Sequence, residues 1–144
     1  MSGIAEFLNA RLAEDEATAH AAASDDQAQW VATDLEPAVY VADSNMPVAV
    51  GPWGGPMDKA DADHIVRHDP FRVLREIEAG RRLLASLKRA QEDFDKTLPG
   101  DYHRHGAVLA AWTQAARQRA AIWSDHPDYD PAWAPPLGTQ EEDQ

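Results

Sequence analysis

The stretch that decides the reading is His64-Ile65-Val66-Arg67-His68-Asp69-Pro70-Phe71-Arg72-Val73-Leu74-Arg75-Glu76-Ile77-Glu78. Asp-Pro followed by an amphipathic run is a helix start with a mechanism. Asp69 can cap free N–H groups with its carboxylate, and Pro70 suits the first helical position, where no N–H is needed. Pro70 also disfavours the α region at Asp69. The spacing therefore predicts two helical segments meeting at a bend, with His64 and His68, four residues apart, on one face of the incoming segment.

On the C-terminal side, Val73, Ile77, Gly80, Leu84, Leu87, Gln91, Phe94 and Leu98 step by four and three, a core-facing seam interrupted by Gly80 and Gln91. Arg72/Glu76, Glu78/Arg82, Arg89/Asp93 and Glu92/Lys96 line the opposite face as local ion pairs. This long helix should end before Pro99-Gly100. A last helix from about His105 to Trp123 follows, with Val108, Leu109, Trp112, Ala115, Ala116, Ile122 and Trp123 on one side and Trp112 and Trp123 in the core. The short connection predicts that the two helices pack antiparallel.

On the N-terminal side, Asp58 can cap a short helix from Lys59 to His68, with Asp61 in its first turn. Before it, Gly51-Pro52-Trp53-Gly54-Gly55-Pro56 cannot be regular structure. Trp53 in that loop either caps the edge of the core or stands out as an anchor for a partner. Three β-type segments precede it: Gln29–Thr33, Ala38–Ala42 and Pro47–Val50. Turn chemistry at Asp34-Leu35-Glu36-Pro37 and Asp43-Ser44-Asn45-Met46-Pro47 separates them. Short connections favour an antiparallel meander, and alternation puts Val39 and Val41 on one face and Tyr40 on the other. The first helix, from about Gly3 to Ala22, has Ile4, Phe7, Leu8 and Leu12 at helical spacing. Ser2 is a candidate cap, the late alanine- and acid-rich turns should be exposed, and Ser24-Asp25-Asp26 should end the helix.

The fold class expected is α+β: an N-terminal helix, a small three-stranded antiparallel meander, then an antiparallel helix pair with an extended C-terminal tail. Residues 1–136 read as one domain. Residues 137–144 read as a mobile acidic tail. Tyr129 and Trp133 should dock on the body.

Composition narrows function. The 144 residues include no cysteine, so disulfides and thiolate chemistry are excluded. No apolar run approaches bilayer length and the N-terminus lacks a secretory pattern, so a cytoplasmic protein without membrane contact is expected. The net charge of −12 argues against a general nucleic-acid binder. Its distribution is uneven: residues 1–66 carry −10, residues 67–124 carry +4 and residues 125–144 carry −6.

Several blocks resemble a family of small uncharacterised proteins from actinobacteria and their phages, classed as a domain of unknown function. They are Phe7-Leu8-Asn9-Ala10-Arg11-Leu12-Ala13-Glu14-Asp15-Glu16, Trp53-Gly54-Gly55, Asp63 through Ala79 across the bend, and Asp125-His126-Pro127-Asp128-Tyr129 with Trp133 close behind. The resemblance implies one domain over the whole chain, and it supplies no activity, since none is assigned to that family. Two departures stand out. Gln27-Ala28-Gln29-Trp30 replaces a Pro-Gly-Pro-Trp start to the first strand. Ala121-Ile122-Trp123 lacks the proline of a Leu-Pro-Tyr, so the last helix can continue further.

Three functional readings remain. The first is an accessory or protein-interaction module without catalysis, with a protein partner or self-association. Its structural centre would be His64, Arg67, His68, Asp69, His126 and Tyr129, and its contact residues Trp53 and Trp133. In it, Arg67 would fork onto Asp125 or Asp128 of the tail. The second is a metal-dependent hydrolase in which His64 and His68 bind zinc, completed by His126 or Asp61, because zinc needs at least three protein ligands. The third is a nucleic-acid-associated factor using the basic helix 67–89. No nucleophile elbow, phosphate cradle or paired-carboxylate site is recognisable.

Overall fold

The Asp69-Pro70 break is present in the computed structural model, which describes residues 2–23 and 29–134. The expectations for Ser24-Asp25-Asp26 and for residues 137–144 lie outside the described residues, as does the Ser2 side chain. Among the described residues four α-helices and three strands follow in order: α1 (Ser2–Ala22), β1 (Trp30–Ala32), β2 (Val39–Val41), β3 (Pro47–Ala49), α2 (Lys59–Arg67), α3 (Pro70–Asp95) and α4 (Tyr102–Ala120). The class is α+β. Among the described residues no helix is long and apolar enough to cross a membrane.

The described chain forms two compact units. One comprises the first turns of α1, to Leu12, with everything from Gly80 onward; the other comprises residues 13–79.

In the unit of residues 13–79, the sheet has the order β1-β2-β3 with both pairings antiparallel. Trp30 pairs with Val41, Val31 with Tyr40 and Ala32 with Val39, and a register shift interrupts β2–β3 between Val39 and Tyr40. Val39 and Val41 are buried while Tyr40 is half-buried, as period-two alternation requires. Helix α2 packs against β1 and β2 and buries Ala62, covering a sheet too small to stand alone. Asp58 caps α2 as expected, accepting from the Ala60 N–H at 2.8 Å. Late in α1, Ala19 is buried rather than exposed, because its small side chain admits a close neighbour.

In the other unit, Ile4, Phe7, Leu8 and Leu12 of α1 are buried, with Leu84, Leu87 and Ala90 of α3. Gly80 is a packing contact: a Cβ built there would lie 3.0 Å from Leu12 Cδ2. Helix α4 contacts α3 where a Cβ on Gly106 would lie 3.5 Å from Phe94. The buried positions of α4 are Ala116 and Ala120, whereas Val108, Trp112 and Ile122 are exposed. The expectation that Trp112 lies in the core is thus corrected: α4 turns its small residues inward, which lets the helix approach closely. Leu98, placed on the α3 seam by spacing, lies beyond the helix end and is exposed. After α4, the tail runs through turns and a short 3-10 segment, Pro131–Trp133, with Asp130 accepting from the Ala132 N–H at 2.9 Å.

Candidate functional site

The corner of residues 64–72 is built as its chemistry dictates. The His68 and Asp69 N–H groups close α2 onto the carbonyls of Ile65 and Val66, at 3.1 Å and 3.3 Å. Asp69 Oδ1 accepts from the Arg72 N–H at 2.7 Å, and Asp69 is only 9% exposed. Pro70 opens α3 and needs no partner for its nitrogen. Arg72 then ties both sides together, donating from Nε to Glu76 at 2.7 Å and from Nη1 to the Arg67 carbonyl at 3.1 Å. The rings of His64 and His68 lie 4.7 Å apart on one exposed face, as their spacing requires. Arg67 is exposed. At the other end of α2, Lys59 donates to both carboxylate oxygens of Asp63 at 2.9 Å. This hydrogen bond raises the Lys59 pKa above its ordinary 10.5, with the charges of Asp63 and Asp34 adding to it.

The loop before α2 holds the most exposed aromatic side chain. Pro52–Gly54 forms a 3-10 turn in which Trp53 has φ 61° and ψ 21°, a left-handed conformation that non-glycine residues rarely adopt. The turn is closed from outside: the Gly51 N–H donates to the Gly55 carbonyl at 2.8 Å, and the Met57 N–H to the Pro37 carbonyl at 2.7 Å. A Cβ at Gly51 would lie 1.9 Å from the Pro56 oxygen, so only glycine fits. The Trp53 side chain is fully exposed. Of the two alternatives open in the sequence, a cap on the core is therefore corrected to an outward display. In the same unit Leu35 is also almost fully exposed, and Val31, Met46, Val48 and Val50 are exposed in part.

The C-terminal aromatics come together around the first turns of α1. Phe7 has the ring of His126 at 5.8 Å, Tyr129 at 6.0 Å and Trp133 at 5.2 Å, and Tyr129 meets Trp133 edge-on at 5.7 Å. Arg11, one turn after Phe7, lies with its guanidinium carbon 5.6 Å from the Phe7 centroid and donates from Nη1 to Nε2 of His126. It is 7% exposed. Tyr129 and Trp133 dock on the body as expected. Arg11 was not singled out by sequence reasoning, although a signal existed: it occupies an apolar-stripe position, four after Phe7 and three after Leu8.

Among the described residues, no group of three or more His, Asp or Glu side chains is placed to hold a metal ion. On α3 the basic side chains are partly engaged locally. Besides Arg72 with Glu76, Lys88 meets Glu92 at 4.0 Å and Arg75 lies over Phe71 at 5.1 Å.

The model of a family of unknown function, DUF6221, matches residues 1–135, and the chain belongs to that family. No curated protein matches the chain. No solved structure matches it.

Proposed function

We propose that this member of the DUF6221 family is a small accessory module that binds a protein partner and has no catalytic role of its own, with Trp53 as the anchor. The observation that carries the reading is the display of Trp53: a large aromatic, fully exposed, at a positive φ, on a turn closed by backbone hydrogen bonds. Fixing a bulky residue in the left-handed region costs about 1–2 kcal/mol. Strain of this kind persists where the surroundings over-determine it, and it clusters at functional sites. Trp is also over-represented among residues that dominate binding energy, because one buried indole contributes a large apolar area at little entropic cost. Val31, Leu35, Met46, Val48 and Val50 add apolar surface in the same unit.

The test is affinity capture from the native host with wild-type and Trp53→Ala protein, read by quantitative mass spectrometry. One protein should be recovered with the wild type and fall at least about tenfold in Trp53→Ala, the loss expected for a hot spot of about 1.4 kcal/mol or more. Circular dichroism should show the variant equally folded. Identical capture profiles for the two proteins would overturn the assignment of Trp53 as anchor.

A further inference from the structure

His64 lies in the last turn of α2, and His68, four residues on, is the cap of that helix. Their ring centres are 4.7 Å apart and the planes are tilted by 49°. The separation is the one that a shared metal ion imposes. An ion about 2.1 Å from one nitrogen of each imidazole stands about 3.2 Å from each ring centre, so ligand angles of about 90–110° hold the centres about 4.5–5.2 Å apart. The tilt is neither the stacked nor the edge-on arrangement that two rings favour between themselves. Both imidazoles are exposed, and among the described residues neither has a hydrogen bond or an ion pair, so an ion can take their lone pairs without breaking a contact.

The surroundings favour a cation. Residues 58–69 hold four acids, Asp58, Asp61, Asp63 and Asp69, against two bases, Lys59 and Arg67. His68 also borders a cleft of about 370 Å³ that carries the carboxylates of Asp15 and Glu76. Glu76 is itself bonded to Arg72 and Asp63 to Lys59, so these groups contribute field rather than ligands. Arg67, exposed between the two histidines, is the opposing charge. His126, a candidate third ligand from the sequence, is held instead by Arg11 and by the Asp128 N–H. The protein thus offers two neighbouring nitrogens, and water completes the set. Two ligands are too few for a structural zinc site. Two nitrogens with oxygens in a tetragonal set suit copper(II), which also binds a given nitrogen set more tightly than the other divalent first-row ions.

We infer that His64 and His68 form a two-histidine site for copper(II), completed by water, on the exposed face of α2. The bound ion clamps the last turn of the helix to its cap, next to the bend at Asp69-Pro70. Zinc occupies the same pair more weakly. The site is independent of Trp53 and stands or falls separately from it.

The test uses the full chain, free of any histidine tag, titrated with copper(II) in chelator-free buffer above neutral pH, because imidazole must be unprotonated to bind. Calorimetry should show one tight ion per chain. At less than one ion per chain, electron paramagnetic resonance should show a tetragonal signal coupled to two nitrogens. In 15N-labelled protein the same substoichiometric copper should bleach the amide signals of Ile65 and Arg67 before those of His103 and His105. His64→Ala and His68→Ala should each weaken binding at least about tenfold, since either loses the second, tethered contact. Both side chains are exposed, so circular dichroism should show the variants folded. His103→Ala/His105→Ala and Trp53→Ala should bind copper like the wild type. Unchanged affinity in either single histidine variant would overturn the inference. So would coupling to one nitrogen only, or bleaching that begins at His103 and His105.

Discussion

The guanidinium of Arg11 donates to the imidazole of His126, joining residues 115 positions apart in the chain. The other ring nitrogen, Nδ1, faces the Asp128 N–H at 3.1 Å, so the same imidazole also ties down the start of the tail. The cation is nearly covered, and its flank lies on the Phe7 ring. Arg11→Ala removes both the donor and the packing, and should cost about 2 kcal/mol. His126→Ala deprives a covered guanidinium of an acceptor and should cost a similar amount. A double-mutant cycle in urea should return a coupling of about 1 kcal/mol or more. Additive losses would mean that the pair contributes nothing beyond its separate packing.

The cap at the corner is the next test. Asp69 accepts the Arg72 N–H at 2.7 Å from a nearly buried position. Asp69→Ala should lower stability by about 1 kcal/mol, and Asp69→Asn, which keeps an acceptor oxygen, should recover most of it. Urea midpoints for the three proteins decide this. Equal losses in both variants would show that the carboxylate charge matters more than the hydrogen bond.

Gly80 supports a different prediction. Helix propensity alone favours any residue other than proline over glycine there. The space does not: a Cβ already stands 3.0 Å and 3.1 Å from the two methyl carbons of Leu12. Gly80→Val adds a branched side chain against a residue that is itself fully covered. The overpacking should cost about 1–3 kcal/mol despite the gain in propensity. Pairing it with Leu12→Ala should recover part of the loss, measured as a positive coupling in thermal unfolding.

These elements differ in how legible they were, and the difference is physical. The bend at Asp69-Pro70, the Asp58 cap and the three short strands rest on interactions within a few residues, so residue type and spacing suffice to place them. The placement of Tyr129 and Trp133 on the body was legible as exposed apolar bulk needing cover, but their partner was not. Contacts of Phe7 and Arg11 with the tail depend on long-range packing that no local period encodes. On α4 the pattern was right for Ala116, which lies on the expected face and is buried, but misled for Trp112 and Val108, because hydrophobicity ranks them above Ala120 while close helix packing selects the small residues. Trp53 was ambiguous because Gly and Pro on both sides fix a loop without fixing which way its side chain points.

The ion pair at the start of α2 gives a pH prediction. Hydrogen bonding to Asp63 holds the Lys59 pKa above 10.5 in the folded chain. A group whose folded value is raised binds its proton more tightly in the native state. Its contribution is therefore fully present below 10.5 and is lost as pH rises through the folded value. Both side chains are more than half exposed, so the effect is small. Stability curves of wild type and Lys59→Ala should run parallel below pH 10.5 and converge above it. Curves that stay parallel throughout would show that the pair is unmade in solution.

The last prediction separates stability from binding at Trp53. Its side chain touches little, so truncation removes no core packing. Its backbone, at φ 61°, is one that glycine adopts freely. Trp53→Gly should therefore stabilise the fold by about 1 kcal/mol, while Trp53→Ala, which keeps the Cβ, should leave stability within about 0.5 kcal/mol of wild type. If the residue anchors a partner, both variants should lose capture of that partner to the same extent, because both lack the indole. Gain of stability with loss of binding in one substitution is the signature of a residue kept for contact rather than for folding. A destabilised Trp53→Gly protein would instead show that the indole supports the loop.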